Sequence, residues 1–291
     1  IVIIGGGAIG AEWATLLNEF GVKVTVVEAA DRLLPLEDEE LSAELQRQFR
    51  KKGIRVLTQA KLAADSVAKE KNGVRMTVET KKGTETLEAE TMLVSIGREA
   101  NIDGIGLENT DVRVEAGVIK VNEFMQTSEP HIYAVGDVIG GVQLAHAAGY
   151  EGIIAAEHAS GIGPDAYAPH LIPRCVYTQP EIAAIGLTER EAAERGYRVK
   201  TGKYSFQALG KALVYGEKDG FVKVVADART DDLLGVHIVG PHATDLIGEA
   251  ALAKLLDAAA WEAGRAIRPH PTLSEALGEA MLAVGSMTIS G

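Results

Sequence analysis

The sequence predicts an α/β protein with a Rossmann-like nucleotide-binding domain at its start and an α+β domain at its end. A β-branched strand, a glycine loop, a helical repeat and a second strand follow one another within the first 28 residues. Beyond a Gly- and Pro-containing stretch near residue 165, strands are followed by helices. With 291 residues, 46% of them hydrophobic, the chain can bury two or three cores.

The first third of the chain alternates strands and helices. Apolar positions recur at helical spacing after the glycine loop, and β-branched runs separate the helices. The elements predicted here are strands at 1–4, 22–27, 54–57 and 91–96, helices at 8–20 and 38–52, and a small antiparallel insert around 74–83.

The remainder divides at a linker of glycine and proline between residues 161 and 169. Before it we predict strands at 118–121 and 132–135 and a helix at 143–159; after it, strands at 198–206, 221–227 and 233–239 and helices at 243–257 and 272–285. These patterns predict domains at 1–100, 101–165 and 166–291.

Composition excludes several classes of function. The net charge of −12 disfavours nucleic acid or an anionic membrane as a partner, because both require a basic surface. No apolar run approaches the roughly 20 residues of a membrane span, and no signal-peptide pattern is present. The single cysteine, Cys175, excludes an internal disulfide framework and favours a cytoplasmic location.

The first residue is Ile1 rather than an initiator methionine. The strand that it begins has nothing ahead of it to cap or pair its start. We interpret the chain as a fragment or a processed product; the alternative is that a few leader residues are omitted.

The glycine loop from Gly5 to Gly10 has the spacing of a dinucleotide site. Gly5 allows the tight turn, Gly7 lets the backbone approach a pyrophosphate, and Gly10 allows close helix–strand packing. Glu28 ends the second strand, where a carboxylate accepts from a ribose 2′-OH and repels a 2′-phosphate. The loop and Glu28 therefore predict NAD rather than NADP. Arg32 is evidence against this preference, because a guanidinium nearby could neutralise a 2′-phosphate. The alternative is a glycine turn that binds no nucleotide.

Two further acidic positions are ambiguous from the sequence. Glu12 faces either solvent, at a favourable end of the helix dipole, or the nicotinamide. Asp137 follows a strand and Gly136, so it could bind a sugar or ribityl hydroxyl, although Gly-Asp is also ordinary turn chemistry and by itself favours a turn.

His270 and Glu275 form the catalytic candidate. Thr272 and Glu275 have the spacing of a capping box, so Glu275 could serve only its own helix. In the functional interpretation, Glu275 binds one imidazole nitrogen of His270 and the other nitrogen takes a proton. Cys175 is interpreted as a buried small residue rather than a nucleophile.

Six ordered motifs resemble those of the flavin disulfide reductases, most of all the dihydrolipoamide dehydrogenases, a class of pyridine nucleotide-disulfide oxidoreductases. They lie at 5–12, 96–98, 132–137, 144–146, 176–181 and 270–275, and the resemblance covers the whole chain. It implies an NAD-binding domain, the C-terminal part of an FAD-binding domain and an interface domain that forms a homodimer.

The resemblance also implies roles for particular residues. Those implied to contact NAD are Gly5, Gly6, Gly7, Ala8, Ile9, Gly10, Glu12, Glu28, Leu62 and Gly97. Those implied to contact FAD are Gly136, Asp137, Gln143, Leu144, Ala145 and His146. By the same resemblance, His270 is the proton acceptor and Glu275 is its partner. The lipoyl domain of a 2-oxo acid dehydrogenase complex is the implied carrier of the substrate. No metal is expected.

Several features depart from the family pattern or favour a rival. The family's first half, with its own glycine loop and a CxxxxC disulfide, is absent, and Arg268-Pro269 replace the usual His-Ala before His270. Glutathione-type reductases use NADPH, which Glu28 disfavours, and the C-terminal cysteine pair of mercuric reductases is absent. The alternative from another class is a non-catalytic NAD-binding and dimerisation module.

Overall fold

The computed structural model describes residues 1–289. The chain forms two compact units, one made of residues 1–97 together with 173 onward, the other of residues 98–172.

The first unit begins with a parallel sheet flanked by helices. Its elements are β1 (Val2–Ile4), α1 (Ala8–Glu19), β2 (Thr25–Val27), α2 (Glu39–Lys51), β3 (Arg55–Leu57) and β8 (Met92–Val94). The strands lie in the order β3-β2-β1-β8, as a Rossmann-like domain requires. Ile3 and Val26 face the helices, while Val2, Ile4 and Val27 face the opposite side. Both faces are covered, which is why these strands are continuous apolar runs.

The opposite side is covered by an antiparallel insert in which the central strand pairs with three others. The strands are β4 (Lys61–Leu62), β5 (Ala68–Glu70), β6 (Gly73–Thr80) and β7 (Gly83–Ala89). Met76, Val78 and Leu87 alternate with exposed residues and pack on the parallel sheet.

The same unit continues after residue 173 with a five-stranded antiparallel sheet in the order β11-β12-β15-β14-β13. Its strands are β11 (Arg174–Val176), β12 (Glu181–Gly186), β13 (Val199–Ser205), β14 (Phe221–Asp227) and β15 (Leu233–Gly240). Its helices are α4 (Glu189–Glu194), α5 (Gly210–Tyr215), α6 (Ala243–Leu255), α7 (Ala260–Gly264) and α8 (Glu275–Ala283).

One face of this sheet packs on α6 and α8, and the other packs on α1 and α2. Every residue of β14 and β15 is buried as a result. Helices α1 and α2 therefore lie between two sheets, with Ile182, Phe221 and Val239 of the antiparallel sheet joining Leu41 and Phe49 in one core.

The second unit contains a short hairpin and one long helix. The hairpin consists of β9 (Val114–Glu115) and β10 (Val118–Ile119), and the helix is α3 (Ala145–Ala159). A 3-10 turn at Gly136–Ile139 precedes the helix. The core of this second unit contains the buried side chains of Met125, Ile154 and Ala155.

A buried ion cluster joins α2 to the antiparallel sheet. The Nζ atom of Lys223 lies 3.2 and 3.1 Å from the carboxylate oxygens of Asp38, and only 4% and 3% of the two side chains are exposed. Glu40 and Glu189 lie 2.8 and 2.7 Å from the same ammonium group. Asp38 also accepts from the N–H of Glu40 as the N-cap of α2, so one carboxylate begins the helix and holds it on the sheet.

The α/β class and the separate α+β part are confirmed, whereas three predicted element positions are wrong. The strand expected at 132–135 is a single bridge between Gln126 and Tyr133, because its backbone bonds to the turn at 125–127. The second strand begins at Thr25 rather than residue 22, because the N–H of Val22 still bonds to Leu17 at the end of α1.

The third error concerns the last helix, which begins at Glu275 with Ser274 as its N-cap. The hydroxyl of Thr272 donates to the carbonyl of Pro269, so Thr272 does not cap the helix. Several short elements were not predicted, among them β4, β5, α4, α5 and α7. Strands β11 and β12 were also missed, because their segment contains Pro180 and few alternating polar residues.

Within residues 1–289, no helix has the length and apolar character that crossing a bilayer requires.

We expect Lys223→Met to lower the free energy of unfolding by about 3–5 kcal/mol, because it leaves the Asp38 carboxylate buried without its counter-charge. Urea unfolding followed by circular dichroism measures this. The matched control is Lys51→Met, since Lys51 is 61% exposed beside Asp219 and such pairs contribute about 0–1 kcal/mol. Equal losses in the two variants would contradict the role of the buried cluster.

Candidate functional site

The glycine loop between β1 and α1 is shaped by contacts that exclude a side chain. Gly5 has φ +105°, and a Cβ there would lie 2.3 Å from the carbonyl oxygen of Ser95. A Cβ on Gly10 would lie 1.9 Å from the carbonyl oxygen of Gly5. Both positions therefore require glycine, as the sequence predicted for a tight turn and for close helix–strand packing.

The space above the loop is open. A Cβ on Gly7 would meet no atom within 4 Å, and Ala8 and Ile9 are exposed at the start of α1. The first helical hydrogen bond runs from the N–H of Ala11 to Gly7, so the N–H groups of Ala8, Ile9 and Gly10 precede it. This end of α1 presents free donors and a positive dipole to an anion, which fits a pyrophosphate.

Glu28 lies beside the loop, and its carboxylate is held by backbone donors. The N–H of Gly6 donates to Oε2 at 2.5 Å and that of Ala30 donates to Oε1 at 2.6 Å. A carboxylate has about four lone-pair sites, so two remain for a ligand hydroxyl. The residue expected to select the ribose also fixes the glycine loop.

Arg32, the counter-signal to NAD, has partners of its own. Its Nη2 donates to the carbonyl of Pro35 at 3.0 Å, and Nη1 lies 3.3 Å from Asp31 and 3.8 Å from Glu39. Only 16% of the side chain is exposed. The guanidinium is thus balanced by two carboxylates within the chain.

Ser95 is a site residue that sequence reasoning missed. Its hydroxyl lies 3.1 Å from the carbonyl oxygens of both Ile4 and Gly5, and its N–H donates to Ile4 at 2.7 Å. Ser95 thus holds the end of β1 and the first residue of the glycine loop by hydrogen bonds. No sequence signal marks it, because it follows β8 and lies some 90 residues from the loop.

The other residues expected to contact NAD are more dispersed. The Oε1 atom of Glu12 accepts from the N–H of Tyr177 at 2.9 Å, so Glu12 ties α1 to the segment before β12. Leu62 pairs with Val78 in the antiparallel insert. Gly97, with φ +128°, is exposed two residues after Ser95.

In the second unit, Gly136 and Asp137 open the 3-10 turn. Gly136 has φ +77°, and its N–H donates at 2.7 Å to the carboxylate of Glu151, which is 1% exposed. Asp137 pairs with Arg98 at 2.8 Å, and Arg98 also donates to the carbonyl of Gln143 at 3.0 Å. Arg98 and Glu151 therefore position the turn; Arg98 belongs to the motif at 96–98 but was given no role from the sequence, and Glu151 was not singled out.

The segment expected to contact FAD at 143–146 forms the start of α3. Leu144 is the N-cap, and no acidic side chain lies in the first turn of the helix, which begins at Ala145. A helix start beside the Asp137 turn combines a dipole with a carboxylate, a set of groups that suits phosphate and hydroxyl oxygens of a nucleotide. These residues fit FAD.

His270 and Glu275 are in contact. The Nδ1 atom of the ring lies 2.7 Å from Oε1 of Glu275, and 80% of the histidine side chain is exposed. The other oxygen of Glu275 accepts from the N–H of Thr272 at 2.8 Å. Glu275 therefore orients His270, whereas the capping box that the sequence offered as the alternative is not formed, because α8 begins at Glu275 itself.

Partial burial acts to raise the pKa of Glu275, but the Thr272 N–H and the His270 ring outweigh it and lower that pKa. Glu275 is therefore ionised at neutral pH and accepts, so Nδ1 of His270 carries the hydrogen. In the neutral ring the lone pair then lies on Nε2, the nitrogen that can take a proton.

Cys175 packs against the core of the antiparallel sheet. Burial, together with nearby Glu181, raises the pKa of its thiol to about 11. A thiol of this kind is a poor nucleophile at neutral pH. No cluster of three or more metal-binding side chains occurs among residues 1–289.

Comparison with known proteins gives the family. Residues 1–152 match the pyridine nucleotide-disulphide oxidoreductase family, and residues 172–281 match its dimerisation domain. The chain belongs to this family. A protein named dihydrolipoyl dehydrogenase from Bacillus subtilis is 59% identical over 99% of this chain and 61% of its own length.

Solved structures agree with the assignment of the fold. Residues of this chain superpose on LpdA from Mycobacterium tuberculosis with a TM-score of 0.88 and 31% identity, covering 96% of this chain and 60% of that one. The superposition on the HOCl-induced flavoprotein disulfide reductase RclA from Escherichia coli has a TM-score of 0.86 and 25% sequence identity, and it covers 96% of this chain and 63% of that one. The chain spans about three-fifths of the length of the relatives that it matches.

We expect Gly10→Ala to lower the free energy of unfolding by about 1–3 kcal/mol, the usual effect of overpacking, because the new Cβ overlaps the Gly5 carbonyl oxygen. The control is Gly7→Ala, whose Cβ has open space and whose φ of −71° suits alanine; it should lose less than about 1 kcal/mol. Thermal unfolding distinguishes the two. Equal melting temperatures would show that the loop relaxes around a side chain.

Proposed function

We propose that this chain is the NAD-binding, partial FAD-binding and dimerisation portion of an NAD-dependent dihydrolipoyl dehydrogenase. The corresponding domains are 1–100, 101–165 and 166–291. The observation that carries the proposal is the His270–Glu275 pair, an oriented base in the dimerisation domain of a chain that begins with a nucleotide loop. The 59% identity to a protein of that name supports it.

NAD binding is supported by the shape of the glycine loop. Gly5, Gly6, Gly7, Ala8, Ile9 and Gly10 would hold the pyrophosphate, and Glu28 the adenosine ribose. Glu12, Leu62 and Gly97 remain proposed contacts further along the cofactor. The neutralised Arg32 supports NAD over NADP, because a guanidinium already balanced by Asp31 and Glu39 attracts a 2′-phosphate weakly.

FAD binding is supported by the turn that Glu151 and Arg98 position. Gly136, Asp137 and the 143–146 segment, comprising Gln143, Leu144, Ala145 and His146, would hold hydroxyl and phosphate oxygens of the flavin nucleotide. When bound, the flavin passes two electrons between a dithiol and the nicotinamide.

In the overall reaction a dihydrolipoamide dithiol becomes a disulfide, NAD⁺ becomes NADH, and one proton is released. The role of His270 is to take a thiol proton on Nε2. Glu275 holds the ring by Nδ1, so that Nε2 carries the lone pair that accepts the proton. Thr272 keeps the carboxylate in place through its N–H.

The partners and location complete the proposal. A homodimer is supported by the match to a dimerisation domain, and a lipoyl domain by the name of the relatives. A half-buried thiol with a raised pKa is compatible with a reducing cytoplasm. The 291 residues contain one cysteine, so a dithiol–disulfide couple requires cysteines outside them, and these residues alone should not oxidise dihydrolipoamide.

We expect Glu28→Ala to weaken NAD binding by about 1–3 kcal/mol and to reduce the preference over NADP, because a hydrogen bond to a charged group is lost. Calorimetric titration with both nucleotides measures this. Glu19→Ala is the control, since that carboxylate lies at the other end of α1 and is 57% exposed. Unchanged NAD affinity would show that Glu28 serves only the loop.

We expect His270→Gln, in the full-length enzyme, to slow lipoamide turnover by about 10²–10⁴, the range of general acid–base catalysis. NAD binding should persist, because the glycine loop does not involve His270. Glu275→Gln should have a smaller effect, since it orients the ring without carrying the proton. If both variants melt earlier but keep wild-type turnover per folded molecule, the pair is structural only.

The alternative of a non-catalytic module is tested on the purified protein. A full-length, yellow, flavin-containing dimer that forms NADH from dihydrolipoamide supports the enzyme. A colourless dimer that binds NAD without turnover would support the module instead.

A further inference from the structure

Arg268, two residues before His270, is buried although it is charged: 8% of its side chain is exposed. Arginine is almost never buried at this level unless it is paired. Its contacts show what holds the charge there.

The guanidinium binds the end of α7 and the middle of α6. Nη1 donates to the carbonyl of Ala266 at 2.9 Å, and Nη2 donates to that of Ala263 at 3.0 Å. Nη2 also pairs with the carboxylate of Glu249 on α6. Carbonyls at the end of a helix lack helical partners, so Arg268 satisfies them from the segment that leads to His270.

Helix α8 also contacts the guanidinium, at Gly278, where the absence of a side chain leaves space for it. A Cβ on Gly278 would lie 2.4 Å from Nη1 and 2.9 Å from Cζ of Arg268. Gly278 is buried three residues after Glu275, within the first turn of α8. Arg268 therefore contacts the helix that carries the carboxylate partner of His270.

We propose that Arg268 is a positioning residue that fixes the segment carrying His270 against the start of α8, and so maintains the hydrogen bond between His270 and Glu275. The bond joins two short segments, and Arg268 links one to the other through Gly278. The effect on turnover rests on the proposed role of His270, whereas the effect on the hydrogen bond does not.

The hydrogen bond to Glu275 also determines which ring nitrogen of His270 carries the hydrogen. The 2.7 Å contact keeps the hydrogen on Nδ1 and the lone pair on Nε2. If the 268–270 segment moves relative to α8, the ring loses this preference and both tautomers are populated.

The test uses the full chain labelled with ¹⁵N-histidine, whose ring nitrogen shifts report the tautomer; His270→Gln assigns the signal. We expect Arg268→Met to change the tautomer ratio of His270 by roughly tenfold, equivalent to about 1.4 kcal/mol. The pKa of Glu275, lowered in the native protein in part by His270, should rise toward its ordinary value of 4.5.

Gly278→Ala provides an independent perturbation, because it displaces the guanidinium without removing its charge. Alanine favours a helix interior over glycine, so a general loss of helix stability is not its expected effect. It should change the His270 tautomer in the same direction as Arg268→Met. Arg265→Met is the matched control, since Arg265 at the end of α7 lies over the Trp261 ring and should leave the tautomer unchanged.

The proposal is overturned if Arg268→Met and Gly278→Ala leave the Nδ1–H signature intact, even with a lower melting temperature. It is also overturned if Arg265→Met changes the tautomer equally. Where Arg268→Met fails to fold, Gly278→Ala decides. If the tautomer changes but full-length His270→Gln retains normal turnover, the positioning role stands and the catalytic proposal fails.

Discussion

The ammonium group of Lys223 and the carboxylate of Asp38 meet where solvent reaches almost none of either side chain. Separating them would leave a buried charge uncompensated, which costs several kcal/mol. Because Asp38 is also the N-cap of α2, the same carboxylate begins that helix and ties its first turn to the antiparallel sheet.

The segment that leads to Asp38 also contacts the glycine loop. The segment from Glu28 to Glu37 wraps around Gly6, with the N–H of Leu34 donating to the Gly6 carbonyl at 2.9 Å. At its far end, Glu37 forms a bidentate pair with Arg174 of β11, at 3.0 and 3.1 Å. The segment beside the glycine loop is thus attached at one end to the parallel sheet and at the other to the antiparallel sheet.

The acidic residues share one mode of action. Glu28, Glu151 and Glu275 each accept a backbone N–H, from residues 22, 15 and 3 positions away respectively, and each thereby positions a loop at a proposed site. A charge-assisted hydrogen bond to a backbone donor is stronger than a neutral one. This explains how a chain with a net charge of −12 uses its carboxylates to build sites as well as to remain charged at the surface.

Local patterns alone determined the strand, glycine loop and helix of the first domain, because these depend on periodicity and turn geometry between near neighbours in the chain. The spacing of His270 and Glu275 allowed either a contact or a capping box, and the structure decided for the contact, at 2.7 Å. Only the tertiary structure decided that Lys223 meets Asp38, that Ser95 supports the loop, and that Arg268 links α6, α7 and α8. The Lys223–Asp38 pair is separated by 185 residues, and such contacts leave no periodicity in the sequence, because they depend on which sheet faces which helix.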